Sequence, residues 1–484
     1  EERGHLPPLG MIQLAAVALE AGYSCAVIDP LVMNLSKDGV LARIEELQPK
    51  VIGINALTPT FGKSVDIAKA IRAKFPDVLL LIGGTKPTLT PNDILADNPY
   101  FDMAIIGEGE ATLVELLAHF KKHNFNRTKI MAASSELAPI LGLVYRTKEH
   151  PGGTYSGKRP FVDLDTLPLP ARHLLPIHKY IPLPIQSKRL PVVHMMVSRG
   201  CPYNCSFCCT PFTWGRDVRF RSPEKVVEEI KHVMEKYGAR EISFWDDTFT
   251  ANKEWLTKLC NLIHDQKLDI IWSCFGRVNN MTPELAATMK KGGCWEIFFG
   301  IESVNQDSLN VIRKGLTPDM VRKAVQYTQD AGIEVRGLFM LGLPKETPET
   351  AQRTIDFAKE LNVDYAQFTV TTPHKGTDLY AVARQYGMFV EEDEVKWSQN
   401  EAVFVPAGYK DQKELQNTVR HAYRSFYLRP SYILGRLKKI KNKDDLKQYM
   451  DGFRLLLPFV TQSMKGSQRA GKHVIAQPMD APAN

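Results

Sequence analysis

Short apolar runs alternate with helical segments along most of this chain, and this alternation restricts the folds that it can adopt. Between Pro191 and about residue 390 we predict six strands, each followed by a helix. These strands are Val192–Val197, Glu241–Trp245, Ile270–Phe275, Glu296–Gly300, Glu334–Leu341 and Ala366–Thr371. Six βα units of this spacing predict a partial (β/α)6 barrel, in which functional side chains follow the carboxyl ends of the strands.

Residues 1–150 show the same alternation with a different spacing. The predicted strands are Ser24–Ile28, Lys50–Asn55, Val78–Gly83 and Met103–Gly107, and the predicted helices are Met11–Ala21, Leu41–Leu47, Lys63–Phe75 and Ala111–Lys122. Apolar strands separated by helices predict a doubly wound, Rossmann-like parallel sheet with a ligand crevice at the carboxyl ends of its strands. Because a helix stands where such a sheet usually has its first strand, we expect that strand to lie upstream of Glu1.

The rest of the chain differs in composition from these two α/β units. Residues 151–190 are rich in proline and are interpreted as a linker or strap between them. We expect residues 391–464 to be mainly helical and residues 465–484 to be a disordered tail. The predicted domains are therefore 1–150, 191–390 and a C-terminal helical region, which agrees with a chain too long for one hydrophobic core.

Charge and cysteine distribution limit the class of protein. The net charge of +7 over 484 residues is mild, so the sequence does not suggest a nucleic acid partner. Apolar runs such as Leu455–Val460 are too short for a transmembrane segment. Four of the eight cysteines lie within residues 201–209, a distribution that fits a metal site in a reducing compartment better than disulfides. We therefore expect a cytoplasmic protein.

The cysteines lie in a loop that directly follows the first predicted barrel strand. Its sequence from Ser198 to Pro211 is SRGCPYNCSFCCTP, in which Cys201, Cys205 and Cys208 have the spacing C-x3-C-x2-C. Thiolates hold iron–sulfur clusters, and three of them on one loop would leave one iron of a four-iron cluster open to a small molecule. A zinc site and buried structural thiols are the alternatives, although zinc needs a fourth ligand and the adjacent Cys209 is poorly placed to be one.

The cysteine loop resembles the signature of the radical S-adenosylmethionine (SAM) superfamily. The resemblance implies that the three cysteines hold a [4Fe-4S] cluster, that the open iron binds SAM, and that reductive cleavage yields a 5′-deoxyadenosyl radical. It also implies a reductant such as flavodoxin or ferredoxin. Later segments resemble the SAM-binding strand ends of the branch that also binds cobalamin. The residues that this resemblance places near SAM are Asp246, Asp247, Arg277, Glu302, Ser303 and Gly342.

Two of these residues have simpler interpretations. Asp247 could cap a helix, and Arg277 could be a solvated surface side chain.

The N-terminal unit resembles the cobalamin (B12)-binding domains that are fused to radical SAM barrels. The resemblance lies in residues 4–16, 83–87 and 107–110, and glycines at strand ends would open a crevice for a large ligand. The residues proposed to line it are Thr58, Thr60, Gly83, Gly84, Thr85, Gly107 and Glu108. The sequence lacks the D-x-H-x-x-G motif whose histidine ligates cobalt in some relatives, so we expect an open or water-bound lower face. A dinucleotide-binding domain and a domain that only supports the barrel are the alternatives.

Three functional hypotheses follow from these resemblances. The first is a cobalamin-dependent methyltransferase that uses a 5′-deoxyadenosyl radical to methylate an unactivated carbon. The second is a radical SAM cyclase or rearranging enzyme that uses the same cofactors, and the third is a non-catalytic cobalamin-binding sensor. The sequence does not distinguish a small-molecule, lipid or peptide substrate. A basic cluster from Arg436 to Lys443 could contact a membrane surface or an acidic substrate, and a solvated helix face is the competing interpretation.

Overall fold

A computed structural model describes residues 4–397, 401–440, 449–452 and 454. Its N-terminal unit contains a five-stranded sheet in the order β1-β2-β3-β4-β5. The strands are β1 (Val51–Asn55), β2 (Leu79–Gly83), β3 (Met103–Ile105), β4 (Leu143–Tyr145) and β5 (Thr154–Tyr155). The first three strands are parallel, whereas β4 and β5 pair antiparallel. The sheet is therefore mixed, and β4 and β5 were not predicted.

Helices cover both faces of this sheet, which confirms the doubly wound arrangement. They are α1 (Leu9–Glu20), α2 (Lys37–Leu47), α3 (Phe61–Lys74), α4 (Thr85–Leu89), α5 (Glu110–Lys122) and α6 (Arg127–Ala132). Leu80 and Ile82 belong to the apolar cluster that includes α2 and α3, while Leu79 and Leu81 belong to the cluster that includes α5. Successive residues of a strand point to opposite faces, so an uninterrupted apolar run is what a sheet buried on both sides requires.

The prediction of a strand at Ser24–Ile28 is wrong. These residues pair with no strand in the described part of the chain, because β1 has β2 as its partner and ends the described sheet on that side. Val27 instead packs in an apolar cluster with Ile12 of α1. Of these five residues only Val27 is buried, and a strand also needs a hydrogen-bonding neighbour.

Residues 151–190 form a strap that lies against the N-terminal helix. Ala171 and Leu175 pack in the apolar cluster of α1, and the hydroxyl of Tyr180 donates to Asp29 Oδ2 at 2.8 Å. The Gln13 side chain donates to the carbonyl of Pro168 at 3.0 Å. The amides of Lys188 and Arg189, near the end of the segment, donate to Glu241 Oε2 of the second unit at 2.8 Å, so the proline-rich segment contacts both units.

The second unit is built on six parallel strands whose order in the sheet follows the sequence. They are β6 (Val192–Met195), β9 (Glu241–Phe244), β10 (Ile271–Gly276), β11 (Cys294–Glu302), β12 (Glu334–Leu341) and β13 (Tyr365–Val370), and a small antiparallel pair, β7 (Ser198–Arg199) and β8 (Arg219–Phe220), follows β6. The helices are α7 (Thr210–Thr213), α8 (Pro223–Tyr237), α9 (Lys253–Asp265), α10 (Pro283–Lys291), α11 (Gln306–Val311), α12 (Pro318–Asp330), α13 (Pro348–Glu360) and α14 (Asp378–Ala383). This arrangement confirms the predicted six-stranded partial barrel.

The two faces of the barrel strands differ in chemistry. In β11, alternate residues Ile297, Phe299 and Ile301 join the apolar core beneath the helices. The residues in alternation with them, Glu296 and Phe298, therefore face the inside of the barrel. Glu296 pairs there with the buried Arg336 at 2.8 Å, so this face carries polar and aromatic groups.

The C-terminal segment covers the edge of β13. It contains the hairpin β14 (Gly387–Phe389) and β15 (Phe404–Pro406), followed by α15 (Gln412–Tyr427) and α16 (Pro430–Leu437). The hydroxyls of Tyr423 and Tyr427 accept from the amides of Phe368 and Ala366 at 3.2 and 3.1 Å. These contacts satisfy backbone groups that an edge strand would otherwise leave unpaired.

The described part of the basic cluster makes ion pairs within the protein. Lys439 lies 2.6 Å from Asp364, and Arg436 also pairs with this carboxylate. Lys441, Lys443, the Leu455–Val460 run and the expected tail at 465–484 lie outside the described residues. No helix among the described residues combines the length and apolar character needed to cross a membrane.

Candidate functional site

The cysteine loop begins at a glycine that no other residue could replace without rearrangement. Gly200 has φ +96°, and a Cβ atom there would lie 2.3 Å from the carbonyl oxygen of Asp217. The loop then turns across the mouth of the barrel, where the amide of Ser206 donates to the carbonyl of Ile312 at 2.9 Å. Cys201, Cys205 and Cys208 consequently lie at the carboxyl ends of the barrel strands, as predicted.

The three thiols lie in a partly buried, polar environment. Cys201 Sγ is 3.3 Å from the hydroxyl of Thr248, and Arg277 Nη1 donates to Cys205 Sγ at 3.4 Å. Burial raises the pKa of the Cys201 and Cys208 thiols, and the nearby Asp247 carboxylate raises both further. Thiolates in this loop therefore need a bound cation to stabilise them, which is what a metal centre supplies.

The ligand set of the loop fits a cluster better than a structural zinc ion. A structural zinc site takes four protein ligands, whereas the spacing C-x3-C-x2-C offers three, and the adjacent Cys209 is buried at the start of α7. Three thiolates on one loop can hold a [4Fe-4S] cluster with one iron left open.

The two adjacent aspartates after β9 have different surroundings. Asp246 Oδ1 accepts from the amides of Val197 and Ser198 and from the Ser198 hydroxyl, which fixes the start of the cysteine loop. Asp247 accepts from the hydroxyl of Thr210 at 2.8 Å and lies near the cysteines. Burial raises the pKa of each carboxyl group to about 7. Asp246 thus holds the loop, whereas Asp247 lies near two of the three cysteines, Cys201 and Cys208.

Arg277 is buried and in contact with the cysteine loop. Its guanidinium lies 3.7 Å from the centroid of the Tyr203 ring, and it also donates to the carbonyl of Lys314. The Tyr203 hydroxyl donates to Asn280 at 2.8 Å, which orients the ring. A solvated surface arginine is therefore excluded, and the guanidinium joins two loops at the barrel mouth.

The end of β11 has an irregular backbone that places a charged pair in the site. Glu302 has φ +66° and follows a register shift in the pairing with β12. Its carboxylate accepts from Lys314 Nζ at 2.6 Å, and both side chains are buried. The hydroxyl of Ser303 is 3.1 Å from that of Thr354 and accepts from the amide of Asn305. A left-handed conformation at a glutamate is unusual, and such positions concentrate at functional sites.

Gly342 forms a turn that a buried glutamate holds in place. It has φ +79°, and its amide donates to Glu346 Oε1, which also accepts from the hydroxyl of Tyr409 at 2.7 Å. Burial raises the pKa of Glu346 to about 7. The turn after β12, which the resemblance places near SAM, is thus anchored to the C-terminal segment.

The pKa of Glu346 predicts a pH-dependent stability. A carboxyl group whose pKa rises from 4.5 to about 7 on folding adds most to the free energy of unfolding below pH 4.5. This stabilisation is lost as the pH rises to about 7. Glu346→Gln keeps the accepting oxygen and cannot ionise. The difference in free energy of unfolding, Glu346→Gln minus wild type, should therefore rise by at most about 3 kcal/mol between pH 4.5 and about 7. Urea unfolding at several pH values checks this, and the exposed Glu349→Gln is the control, for which no such change is expected.

The crevice residues of the N-terminal unit lie at the carboxyl ends of its parallel strands. Thr58 and Thr60 follow β1, Gly83 ends β2, Gly84 and Thr85 lead into α4, and Gly107 and Glu108 follow β3. Thr85 Oγ1 and the nearby Asn55 Oδ1 are buried and have no hydrogen-bond partner among the described residues. Buried polar atoms of this kind require a partner, so this edge of the sheet fits a polar ligand group such as a cobalamin side chain.

Glu108 contacts the barrel unit. Its carboxylate pairs with Arg199, at 3.5 Å, and with Arg219, and the neighbouring Glu110 also pairs with Arg199. Arg199 lies two residues before Cys201 and stacks on Trp214, with 4.7 Å from its Cζ atom to the ring centroid. These ion pairs hold the carboxyl edge of the N-terminal sheet against the cysteine loop.

The structure therefore brings the predicted residues together in two groups that face each other. One group surrounds the cysteines at the barrel mouth, and the other lies at the edge of the N-terminal sheet. Sequence reasoning missed the partners that hold them in place: Arg199, Arg219, Glu110, Lys314, Glu346 and Tyr409. Arg199 and Glu110 lie inside segments that were singled out, but their pairing across 89 positions leaves no local signal.

Comparisons with known proteins agree with this geometry. The model of the radical SAM superfamily matches residues 195–358, and the model of the B12 binding domain matches residues 3–117. The chain is 34% identical to an uncharacterized methyltransferase of Pyrococcus horikoshii, over 88% of this chain and 89% of that protein. It is 27% identical to the anaerobic magnesium-protoporphyrin IX monomethyl ester cyclase of Rubrivivax gelatinosus, over 93% and 79%.

A solved structure shares the fold of nearly the whole chain. It is the radical S-adenosylmethionine methyltransferase TsrM from Kitasatospora setae with cobalamin and a [4Fe-4S] cluster bound. The TM-score is 0.67 at 16% sequence identity, and the likeness covers 88% of this chain and 87% of that one. The two predicted units and their order along the chain are thus those of a known architecture.

Proposed function

The chain belongs to the radical SAM superfamily and carries a B12-binding domain, and from this premise we propose that it is a cobalamin-dependent enzyme that methylates an unactivated carbon. The methyltransferases among its relatives support the reaction type. We also propose a reductant of the flavodoxin or ferredoxin kind and a location in the cytoplasm. The eight cysteines form no disulfide bonds with one another, in keeping with a reducing compartment.

The observation that carries this proposal is that the ligand edges of the two units face each other. The carboxyl edge of the N-terminal sheet meets the loops that follow β6 and β13. A Cβ atom on Gly376, in the loop after β13, would lie 2.4 Å from the carbonyl of Leu89 in α4. Lys375 in that loop lies 3.6 Å from Asp93. Two cofactors bound at these edges would share one space, which radical formation and methyl transfer to the same carbon require.

The residues at the barrel mouth have separate tasks in this proposal. When bound, the cluster and SAM supply a 5′-deoxyadenosyl radical that abstracts hydrogen, and cobalamin supplies the methyl group. Arg277 donates to Cys205 Sγ and stabilises the thiolate form. Asp247 is placed to accept from the ammonium group of SAM, a charge-assisted hydrogen bond. Asp246 keeps the loop in register through its bonds to Val197 and Ser198.

An aromatic row inside the barrel supports an apolar carbon skeleton as the substrate. Trp245 and Phe275 lie at the ends of β9 and β10, and Phe298 is the register partner of Phe275 on β11; successive ring centroids are 5.2 and 4.7 Å apart. Trp245 and Phe275 are only half-buried, so their faces remain available to a ligand. We propose that the carbon to be methylated lies against this row.

The proposal is tested without knowledge of the substrate. Protein reconstituted anaerobically with iron, sulfide and cobalamin should contain about four iron and four sulfide ions per chain. It should also contain cobalt at the same molar concentration as the chain. With a strong reductant and SAM labelled in its methyl group, it should release S-adenosylhomocysteine as well as 5′-deoxyadenosine, and the label should enter the cobalamin fraction.

The products separate the proposed reaction from its alternatives. Iron without cobalt would remove the cobalamin claim, and cobalt without iron would favour a sensor. Release of 5′-deoxyadenosine and methionine, with no S-adenosylhomocysteine and no label on cobalamin, would contradict methyl transfer and favour a cyclase or rearranging enzyme.

A further inference from the structure

Three metal-ligating side chains meet at the end of α5 that lies away from the cysteine loop. His119 and His123 are four residues apart and therefore lie on the same face of this helix. Glu136 approaches them from the 3-10 helix Ser134–Leu137. One ligand atom from each residue lies within 4.8 Å of the other two.

The distances between the ligand atoms are close to those around a bound metal ion. Glu136 Oε2 lies 3.3 Å from His123 Nε2 and 4.0 Å from His119 Nδ1. Nitrogen and oxygen ligands about 2.0–2.2 Å from a tetrahedral zinc ion are about 3.4 Å from each other. Glu136 is more than half exposed, so its side chain can close the remaining gap without moving the core.

The His119 ring is buried, with Nδ1 facing the Glu136 carboxylate. Its side chain is 7% exposed, and Nδ1 lies 4.0 Å from Glu136 Oε2, whereas Nε2 has no hydrogen-bond partner in the described part of the chain. Nδ1 is therefore the nitrogen that faces the proposed ion, at a distance from the carboxylate that is too long for a hydrogen bond.

We propose that His119, His123 and Glu136 bind a divalent metal ion of the zinc class at a site separate from the cysteine loop. Two imidazoles and one carboxylate form a ligand set that suits zinc, with the fourth position left to water. Magnesium and calcium prefer oxygen ligands throughout and do not match two ring nitrogens. Lys122 is a nearby cation that opposes binding, and the Glu136 carboxylate offsets it.

The position of the site indicates a structural role. The helix α5 begins at Glu110, which pairs with Arg199 beside the cysteine loop. At 1.5 Å per residue, the two histidines lie about 14 to 20 Å from that end. The ion would join the last turn of α5 to the segment that leads into β4, and so would fix the far end of the helix whose first residue contacts the barrel.

Zinc titration of tag-free, cluster-loaded protein under anaerobic conditions tests the proposal. Calorimetry should show one saturable site, with the cluster absorbance unchanged, so that zinc entering the cysteine loop is distinguished from zinc at α5. His123→Ala should weaken this site at least about 100-fold, since loss of a residue that only supports a ligand already costs about 10- to 100-fold. His232→Ala and His264→Ala, both exposed on barrel helices, are the matched controls and should bind as wild type.

A second variant keeps the test decisive if His123→Ala fails to fold. Glu136→Gln changes an exposed side chain, retains its size, and should also weaken zinc binding. In wild type, zinc should raise the thermal unfolding midpoint, and this rise should vanish in Glu136→Gln and His123→Ala. Unchanged binding in both variants, or no saturable site in wild type, would overturn the proposal.

Discussion

Cys205→Ala should yield a protein that binds cobalamin but contains no iron–sulfur cluster and does not cleave SAM. Cys201, Cys205 and Cys208 are the full set of proposed ligands, so loss of one leaves too few thiolates to hold a four-iron cube. Cys205 is the middle ligand, and Arg277 donates to its sulfur. After anaerobic reconstitution we expect iron and sulfide near background, no brown colour and no 5′-deoxyadenosine above the reagent blank.

The adjacent cysteine provides a matched control for this prediction. Cys209 is buried at the start of α7, one residue after Cys208, and is not one of the three proposed ligands. Cys209→Ala should keep the cluster and SAM cleavage, with a stability loss of about 1 kcal/mol. Cobalamin binding shows that each variant is folded. A cluster that survives in Cys205→Ala, or that disappears equally in Cys209→Ala, would refute the ligand assignment.

The barrel was predictable because its signals are local. The predicted strand Glu334–Leu341 coincides with β12, and the strand predicted at Glu296–Gly300 lies within β11. Apolar β-branched and aromatic residues bounded by turns identify such strands, and the parallel topology then places every strand end at one mouth. The location of the three cysteines follows from this without any long-range information.

The parts that sequence reasoning missed depend on distant partners. The apolar run at 24–28 looked like a strand but has no neighbour in the described sheet. Glu302 was singled out for SAM, yet its partner Lys314 and its left-handed backbone belong to the register shift at the end of β11. Glu108 was expected in the cobalamin crevice, and its ion pairs with Arg199 and Arg219 depend on how two separate units meet. No periodicity within either unit encodes that contact.

The ion pairs between the two units lead to the second large prediction, which concerns Arg199. Its side chain is 6% exposed and lies between Glu108 and Glu110, which are 3% and 7% exposed. In Arg199→Met, Glu108 keeps Arg219 as a partner, whereas Glu110 is left as a buried carboxylate without its cation. Removing one member of a buried pair costs about 3–5 kcal/mol. Because Glu110 is the first residue of α5, the helix dipole stabilises its charge, and we expect a loss of about 3 kcal/mol.

A double variant distinguishes the stranded charge from a loss of packing on Trp214. If the uncompensated carboxylate is the cause, Arg199→Met with Glu110→Gln should recover at least about 1 kcal/mol of the free energy of unfolding relative to Arg199→Met. Arg322→Met is the control, since Arg322 pairs with Glu360 on the exposed surface and should cost at most about 1 kcal/mol. Urea unfolding of cluster-loaded protein measures the free energy of unfolding of Arg199→Met, of the double variant and of Arg322→Met. Equal losses of free energy of unfolding for Arg199→Met and Arg322→Met would mean that the ion pairs of Arg199 do not hold the two units together. Another contact would then have to keep the two cofactor-binding edges facing each other.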